Sequence, residues 1–314
     1  MKSILLFLFL PIALCAQTVD KAKKLYDEQK PVEARKLLLT VKKESKEFAE
    51  AQYYLGRLAY DAKEYDQAEE YFEAAIEVND KVADYHNWYG NTLGTIAGDA
   101  NFFKQATLAP KMKGAWERAL ELDPKSIEAR QSLILYYQQA PAIAGGSTER
   151  AIELANEIVR LKPAEGHRQL GNIYYREKKW AEAEKEFVAM VKADPSYTQS
   201  LANFYINQKN YDKASLLFED QLKKNPEDMM AIYQLGKMSA LSGQRLEDGE
   251  KYLRKYLAYK PQKNEPSHAA ANMRLAQILE KRGKKAEAKS LYELALKSDA
   301  TLKEAEEGLK RVSK

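Results

Sequence analysis

A small side chain recurs along this 314-residue chain at intervals close to the length of one helical hairpin. The recurring positions, one of them filled by methionine, are Ala34, Ala68, Met112, Ala151, Ala183, Ala214, Gly249 and Ala288. The intervals between them are 34, 44, 39, 32, 31, 35 and 39 residues. Four residues after each position comes an apolar side chain, in order Leu38, Phe72, Trp116, Ala155, Phe187, Phe218, Leu253 and Tyr292. A period of about 34 residues with two amphipathic helices is typical of stacked hairpins, so we predict an all-α fold and a binding function.

Residues 49–80 show the pattern most clearly. Apolar residues recur at helical spacing in both halves of this segment, and a polar turn at residues 63–66 separates the halves. Its key positions resemble the tetratricopeptide repeat, which has a Leu-Gly pair, an alanine, an aromatic residue and a second alanine: here Leu55-Gly56, Ala68, Phe72 and Ala75. Prolines follow five of the segments, as in that repeat: Pro124, Pro163, Pro195, Pro226 and Pro261.

The resemblance implies a right-handed superhelical α-solenoid of about eight helix-turn-helix units and a C-terminal capping helix. The array is expected over residues 17–300, with units near residues 18–48, 49–82, 83–126, 127–163, 164–195, 196–226, 227–261 and 268–300. If residues 301–314 form a helix, their apolar side chains lie on one face and their charged side chains on the opposite face. This pattern suits a helix that covers the last unit and faces water.

Two of the predicted units carry insertions. The third has ten additional residues, which include the Phe102-Phe103 pair, and the turn of the fourth, residues 140–146, is five residues longer. Its Ala-Pro-x-x-x-Gly-Gly sequence is similar to that of a group of exported bacterial tetratricopeptide proteins. We expect the phenylalanine pair to be buried, because exposed paired aromatic side chains favour aggregation; docking to a partner is the alternative.

The first sixteen residues differ from the rest of the chain. Lys2 precedes an apolar run that is too short to cross a bilayer, which indicates a secretory signal peptide of residues 1–16, cleaved near Ala16. We therefore expect an exported protein, periplasmic or secreted, and the resemblance implies a bacterial source. The alternative is a lipid anchor on Cys15, although Leu14 is not the small residue that normally precedes a lipidated cysteine.

Charge and motif content argue against several other functions. The 50 basic and 46 acidic residues are evenly spread and give a net charge of +4, so we expect no nucleic-acid partner. Nor do we expect a membrane span. The histidines, His86, His167 and His268, have no cysteine or carboxylate at metal-ligand spacing, and no nucleophile or phosphate-loop motif occurs. We predict no metal, no cofactor and no enzymatic activity.

The concave face of such an array is lined by the first helix of each unit, and here its inward positions are mostly amides and tyrosines. Amides match the donors and acceptors of an extended backbone, and tyrosines add contact area at small entropic cost. We predict that a peptide or protein partner binds Tyr53, Arg57, Asn87, Asn91, Arg168, Asn172, Tyr175, Gln199, Asn203, Tyr233 and Lys237. Further inward positions are Tyr60, Gln131, Gln138, Met273 and Gln277.

The sequence therefore predicts a non-catalytic interaction scaffold of the cell envelope. The alternative is an assembly factor that is anchored to the outer membrane through Cys15.

Overall fold

The computed structural model describes the backbone of residues 12–314 and the side chains of residues 18–314. This part of the chain forms seventeen α-helices and no β-strand, which confirms the predicted all-α fold. The helices are α1 (Ile12–Asp27), α2 (Pro31–Leu38), α3 (Phe48–Asp61), α4 (Tyr65–Val78), α5 (Ala83–Gly98), α6 (Phe102–Leu122), α7 (Ile127–Gln139), α8 (Thr148–Leu161), α9 (Pro163–Arg176), α10 (Trp180–Ala193), α11 (Thr198–Asn207), α12 (Tyr211–Lys224), α13 (Met229–Ser242), α14 (Leu246–Leu257), α15 (His268–Lys281), α16 (Lys285–Ser298) and α17 (Lys303–Val312). One-turn 3-10 helices lie at Ala142–Ala144 and Pro195–Tyr197.

The helices follow one another as hairpins. Helices α1 to α16 form eight pairs, and α17 packs on the last pair. The chain divides into two compact units, unit 1 of residues 1–186 and unit 2 of residues 187–314, with the boundary inside α10. The sequence predicted one array over residues 17–300, and the right-handed superhelix remains a prediction.

The predicted signal peptide falls mainly outside the described residues. Helix α1 begins at Ile12, and the side chains of Cys15 and Ala16 lie outside the described part. Cleavage near Ala16, export and a lipid anchor on Cys15 therefore remain predictions. Between residues 12 and 314, no helix is both long and apolar enough to cross a membrane.

Buried small residues set the approach of the two helices in each hairpin. The recurring alanines are fully buried at Ala34, Ala68, Ala151, Ala183, Ala214 and Ala288. The Phe72 ring packs directly on Gly56, where an added Cβ would lie 2.7 Å from the ring. Trp116 packs on Gly90 in the same way, at 2.6 Å from such a Cβ. Small residues therefore recur in the sequence because the two helices of a hairpin approach closely, and a larger side chain would push them apart.

The turn within most of the hairpins contains a residue with positive φ. Lysine fills this place at Lys63, Lys178 and Lys209, with φ of 63°, 57° and 55°. Glycine fills it at Gly243 and Gly283, with φ of 77° and 78°. A Cβ in this region crowds the backbone, so each of these lysines costs about 1 kcal/mol relative to glycine.

The insertion in the third hairpin lengthens α6 at its N-terminal end. Asn101 caps the helix by accepting a hydrogen bond from the Lys104 N–H at 3.0 Å. Phe102 and Phe103 lie in the first turn, 72% and 81% exposed, with their rings 5.9 Å apart. The expectation that they are buried is wrong, because residues 102–107 are all exposed within the described part of the chain and Leu108 is the first buried residue of α6.

Backbone geometry explains the two glycines in the lengthened turn between α7 and α8. Gly145 has a φ of 86°, and a Cβ on Gly146 would lie 1.8 Å from the carbonyl oxygen of Ala140. Ser147 then caps α8 with its hydroxyl. These roles account for the glycine-rich sequence without a bound phosphate.

Helix α17 covers the apolar surface of the last hairpin. Ala305 and Val312 are buried, and Gly308 lies against the Tyr292 ring, where a Cβ would be 2.2 Å away. On its outer side the Arg311 Nε donates to a Glu280 oxygen at 2.7 Å.

Candidate functional site

The first helices of neighbouring hairpins lie side by side within each unit. Helix α5 contacts α3 and α7 in unit 1, and α15 contacts α13 and α17 in unit 2. In each unit, the surface that the first helices form is here called the first-helix face, and all eleven residues predicted to contact a partner lie on first helices. Their surroundings differ from one part of each unit to the next.

Aromatic residues enclose Arg57 on α3. Its guanidinium carbon lies 3.8 Å from the centre of the Trp88 ring, and its two terminal nitrogens donate to the hydroxyls of Tyr53 and Tyr26 at 3.0 Å. Burial and a hydrogen bond to Asp61 raise the pKa of Tyr26 to about 12. Tyr53 is 7% exposed. Arg57 and Tyr53 therefore form a packed cation–π cluster and offer little free surface.

The two asparagines of α5 are also held within unit 1. The Asn91 side-chain oxygen accepts hydrogen bonds from Trp116 Nε1 at 2.9 Å and from the Ser132 hydroxyl at 3.1 Å. Asn87 is buried, and its side-chain oxygen has no hydrogen-bond partner within the described residues. Asn91 thus joins α5, α6 and α7.

Glu165, at the start of α9, neutralises the predicted contact residue Arg168. Its carboxylate is 6% exposed and accepts hydrogen bonds from Arg168 Nε at 2.9 Å and Nη2 at 2.5 Å. The amides of Gln169 and Gln131 donate to it at 2.9 Å and 2.5 Å. Burial opposes ionisation, but these hydrogen bonds outweigh it and hold the pKa of Glu165 below its ordinary value. Arg168 is therefore engaged internally.

An open cleft of about 300 Å³ lies beside Glu165, between α7 and α9. Its lining consists of Gln131, Ile134, Leu135, Gln138, Gln169, Asn172, Tyr175 and Arg176. Within the part of the chain that the structure describes, the amides of Gln138 and Asn172 have no hydrogen-bond partner, and Leu135 is 46% exposed. The Tyr175 ring is fixed by an edge-to-face contact with Trp180, with centres 5.2 Å apart. The cleft therefore combines free amides with an apolar contact and a fixed ring.

Amides form a short hydrogen-bonded ladder on the first-helix face of unit 2. The Gln199 amide nitrogen donates to Asn203 at 2.9 Å, and its oxygen accepts from Gln234 at 3.2 Å. Asn203 is exposed, whereas Tyr233 is buried against Tyr256, with ring centres 5.1 Å apart.

Lys237 on α13 lies near an ion pair between α15 and the capping helix α17. Arg274 of α15 donates to both carboxylate oxygens of Glu304 of α17, at 2.5 Å and 3.0 Å. Burial lowers the pKa of Lys237, and the positive charge of Arg274 lowers it further.

The histidines make local hydrogen bonds. His86 Nε2 lies 2.9 Å from the Asp80 carbonyl, His167 Nδ1 2.7 Å from a Glu186 oxygen, and His268 Nε2 2.7 Å from the Tyr259 carbonyl. Over the described residues, no group of three or more His, Cys, Asp or Glu side chains could hold a metal ion.

Four residues of the cleft lining were expected from the sequence on the inward positions: Gln131, Gln138, Asn172 and Tyr175. Ile134, Leu135, Gln169 and Arg176 were not expected in the lining, nor was Glu165 beside it. Leu135 follows Gln131 by four residues on α7, so an apolar residue in a polar helical stripe was the available signal. Whether the eleven predicted residues bind a partner remains a prediction.

Two family models, each described as a tetratricopeptide repeat, match the chain, one over residues 19–93 and 238–302 and the other over residues 197–230. A search of curated proteins finds no match. Among solved structures the chain is similar to MamA, at 18% identity with a TM-score of 0.46, over 57% of this chain and 96% of MamA. It is also similar to YrrB, described as a TPR protein with an unusual peptide-binding site, at 16% identity with a TM-score of 0.42, over 62% of this chain and 98% of YrrB. A tetratricopeptide repeat protein from Parabacteroides merdae is 12% identical with a TM-score of 0.45, over 95% of this chain and 98% of its own. At these identities the similarities do not extend to partner or site.

Proposed function

This chain belongs to the tetratricopeptide repeat family, and we propose that it is a non-catalytic scaffold that binds a peptide or protein segment on its concave, first-helix face. The family fold implies a protein or peptide partner. The cleft between α7 and α9 is the part of this face best suited to an extended segment.

The free amides of Gln138 and Asn172 carry the proposal. An extended backbone presents one N–H and one C=O per residue, and each amide side chain supplies the matching acceptor and donors. Leu135 lines the same cleft and supplies an apolar contact for a partner side chain. Glu165 already holds the Gln169 amide, and Trp180 already holds the Tyr175 ring. Binding a partner therefore costs little side-chain entropy at these two residues.

Site-specific photo-crosslinking in cells tests the proposal. A photoreactive amino acid at Leu135 should capture a partner through a short segment that peptide mapping identifies. The same amino acid at Leu161 is the matched control, because Leu161 is a leucine of the second helix α8 with a similar exposure, 41% against 46%. We expect capture at Leu135 and not at Leu161.

A double variant measures what the two amides contribute to binding, apart from the apolar contact of Leu135. Gln138→Ala with Asn172→Ala should weaken binding of the captured segment by about 1.4–2.8 kcal/mol, or roughly tenfold to a hundredfold, without changing thermal unfolding. Exposed Gln139 and Asn207 provide the control pair Gln139→Ala with Asn207→Ala. Equal capture by the double variant and the control pair would show that the cleft is not the binding site.

Export and the periplasm are part of the proposal, and a lipid anchor on Cys15 is its alternative. Mass spectrometry of the mature N-terminus separates them. A chain that begins at Gln17, free or cyclised, supports soluble export, whereas an acylated Cys15 supports an assembly factor held at the outer membrane.

A further inference from the structure

A cleft of about 190 Å³ lies in unit 2 between the second helices α12 and α14. Both helices pack on α13, whose buried side chains Leu235 and Ser239 form the floor of the cleft. These two residues follow Tyr233 and Lys237 by two positions, which is a rotation of about 200° around the helix. The cleft therefore opens on the side of α13 that lies away from the first-helix face.

The cleft presents apolar surface on both walls. Leu216 of α12 is 58% exposed and lines one wall. The partly buried Tyr252 of α14 lines the other wall, and Leu235 lies at the floor. A single exposed leucine is common on a protein surface, but this one borders a concave site with further apolar groups. The cleft therefore offers three apolar contacts for one partner side chain.

The charges of the lining do not balance. Three carboxylates, Asp212, Glu219 and Asp248, face one cation, Arg245. The Arg245 Nη1 donates to Glu219, and its Nε lies 3.6 Å from an Asp248 oxygen, which Lys251 approaches from outside the lining at 3.9 Å. Within the described residues, Asp212 has no ion pair and its carboxylate accepts no hydrogen bond. The cleft therefore keeps an excess of negative charge, with Asp212 as its unpaired acid.

The turn that carries Arg245 differs from the other three-residue turns within hairpins. In those turns the middle residue has positive φ, as at Lys63. Here the first and the last residue have it, Gly243 at 77° and Arg245 at 50°. The Ser239 hydroxyl lies 2.6 Å and 2.8 Å from the carbonyl oxygens of Gln244 and Arg245. From this turn the arginine reaches from α14 to α12, so the chain itself shows that a guanidinium can bridge the two walls.

We propose that the cleft between α12 and α14 binds a partner segment that carries an apolar side chain close to a lysine or arginine. Asp212 and Leu216 lie one turn apart on α12, a rise of about 6 Å. In an extended segment, side chains two residues apart point the same way and are about 6.6 Å apart. The matching segment therefore has its basic residue two positions from its apolar residue. This surface is separate from the first-helix face and does not rest on the function proposed for that face.

The experiment is an NMR titration of the full chain with ¹³C-labelled leucine methyl groups. The Leu216 signals are assigned by their loss in Leu216→Met. The probe is the unlabelled peptide N-acetyl-Leu-Gly-Arg-amide, which should shift the Leu216 signals saturably with a millimolar Kd. Replacing its arginine by glutamine, or its leucine by glycine, should each weaken binding by about twofold to fivefold.

Two controls lie within the chain. Leu294 on the second helix α16 is 47% exposed, and its methyl signals should not saturate. Asp212→Asn should weaken binding of the arginine peptide by about twofold to fivefold and leave the glutamine peptide unchanged. Asp220→Asn, on the same helix but outside the lining, should change neither.

A third variant, Arg245→Gln, gives a result that loosening of the fold would not produce. It removes the cation that occupies Glu219 and Asp248, so it should tighten binding of the arginine peptide severalfold.

Four results would overturn the proposal. They are equal responses at Leu216 and Leu294, no saturation at Leu216, equal affinity for a peptide with glutamate in place of arginine, and a Leu216 shift that depends on protein concentration without peptide. The last would assign the cleft to a second copy of the chain. Failure of the crosslinks at Leu135 would leave these titrations unaffected, so the two proposals fail separately.

Discussion

Replacing Glu165 by glutamine tests whether the carboxylate organises the wall of the cleft. Four N–H groups lie within 2.5–2.9 Å of its two oxygens. A hydrogen bond to a charged group contributes roughly 1.5–3 kcal/mol. Glutamine keeps one acceptor oxygen, and partly exposed Arg168 can be rehydrated, so the contributions do not add in full. We expect Glu165→Gln to lower the free energy of unfolding by about 2 kcal/mol.

Tryptophan fluorescence during urea unfolding measures this effect locally. All three tryptophans, Trp88, Trp116 and Trp180, lie in unit 1, so their emission follows the unit that contains Glu165. Glu128→Gln is the matched control, because Glu128 is an exposed glutamate on α7. It should change stability by less than about 0.5 kcal/mol.

The pH dependence gives an independent check on Glu165. Its pKa in the folded state lies below its ordinary value, because the hydrogen bonds outweigh burial. Its stabilisation is therefore complete above the unfolded-state pKa of about 4.3 and is lost as the pH falls through the lower folded-state pKa. Glu165→Gln should lose stability less steeply than the parent chain below about pH 4. Identical pH profiles, or a difference in stability at pH 7 of less than about 0.5 kcal/mol, would refute this account.

Two further predictions concern the hairpins. Gly56→Ala should lower the free energy of unfolding by about 1–2 kcal/mol in urea titrations, because the new Cβ would lie 2.7 Å from the fully buried Phe72 ring and overpacking exceeds the gain in helix propensity. Gly114→Ala, where nothing lies within 4 Å, should instead stabilise by up to about 1 kcal/mol; equal losses at both sites would contradict the contact argument. Lys178→Gly should raise stability by about 0.5–1 kcal/mol, because φ is 57° at this turn, whereas Lys179→Gly should not; scanning calorimetry of both variants measures the difference.

The hairpin pattern could be predicted because its cause is local and repeated. Each recurring alanine lies where two helices touch, and each is buried for the same reason. The Phe102-Phe103 pair could not be predicted in this way. Its exposure depends on how far α6 extends before another helix covers it, and Leu108 is the first residue so covered.

The candidate site shows the same limit. The helical period placed these polar residues on the first helices, but it could not show which of them are already paired. Arg57 donates to Tyr26, which is 31 residues away, and Asn91 accepts from Ser132, which is 41 residues away. Such pairs depend on the distance between hairpins, which no local pattern encodes.

The sequence by itself determined the helical hairpins, their small contact residues and the face on which a partner is expected, because helical periodicity fixes the direction of each side chain. Only the tertiary structure decided which polar groups of that face are used internally, as Asn91 is by Ser132 of the next hairpin, and which are free, as Gln138 and Asn172 are among the described residues. The physical reason is that a hydrogen bond forms only within about 3 Å. Donors and acceptors of neighbouring hairpins come within this distance only when the hairpins pack together. That packing is a property of the assembled fold.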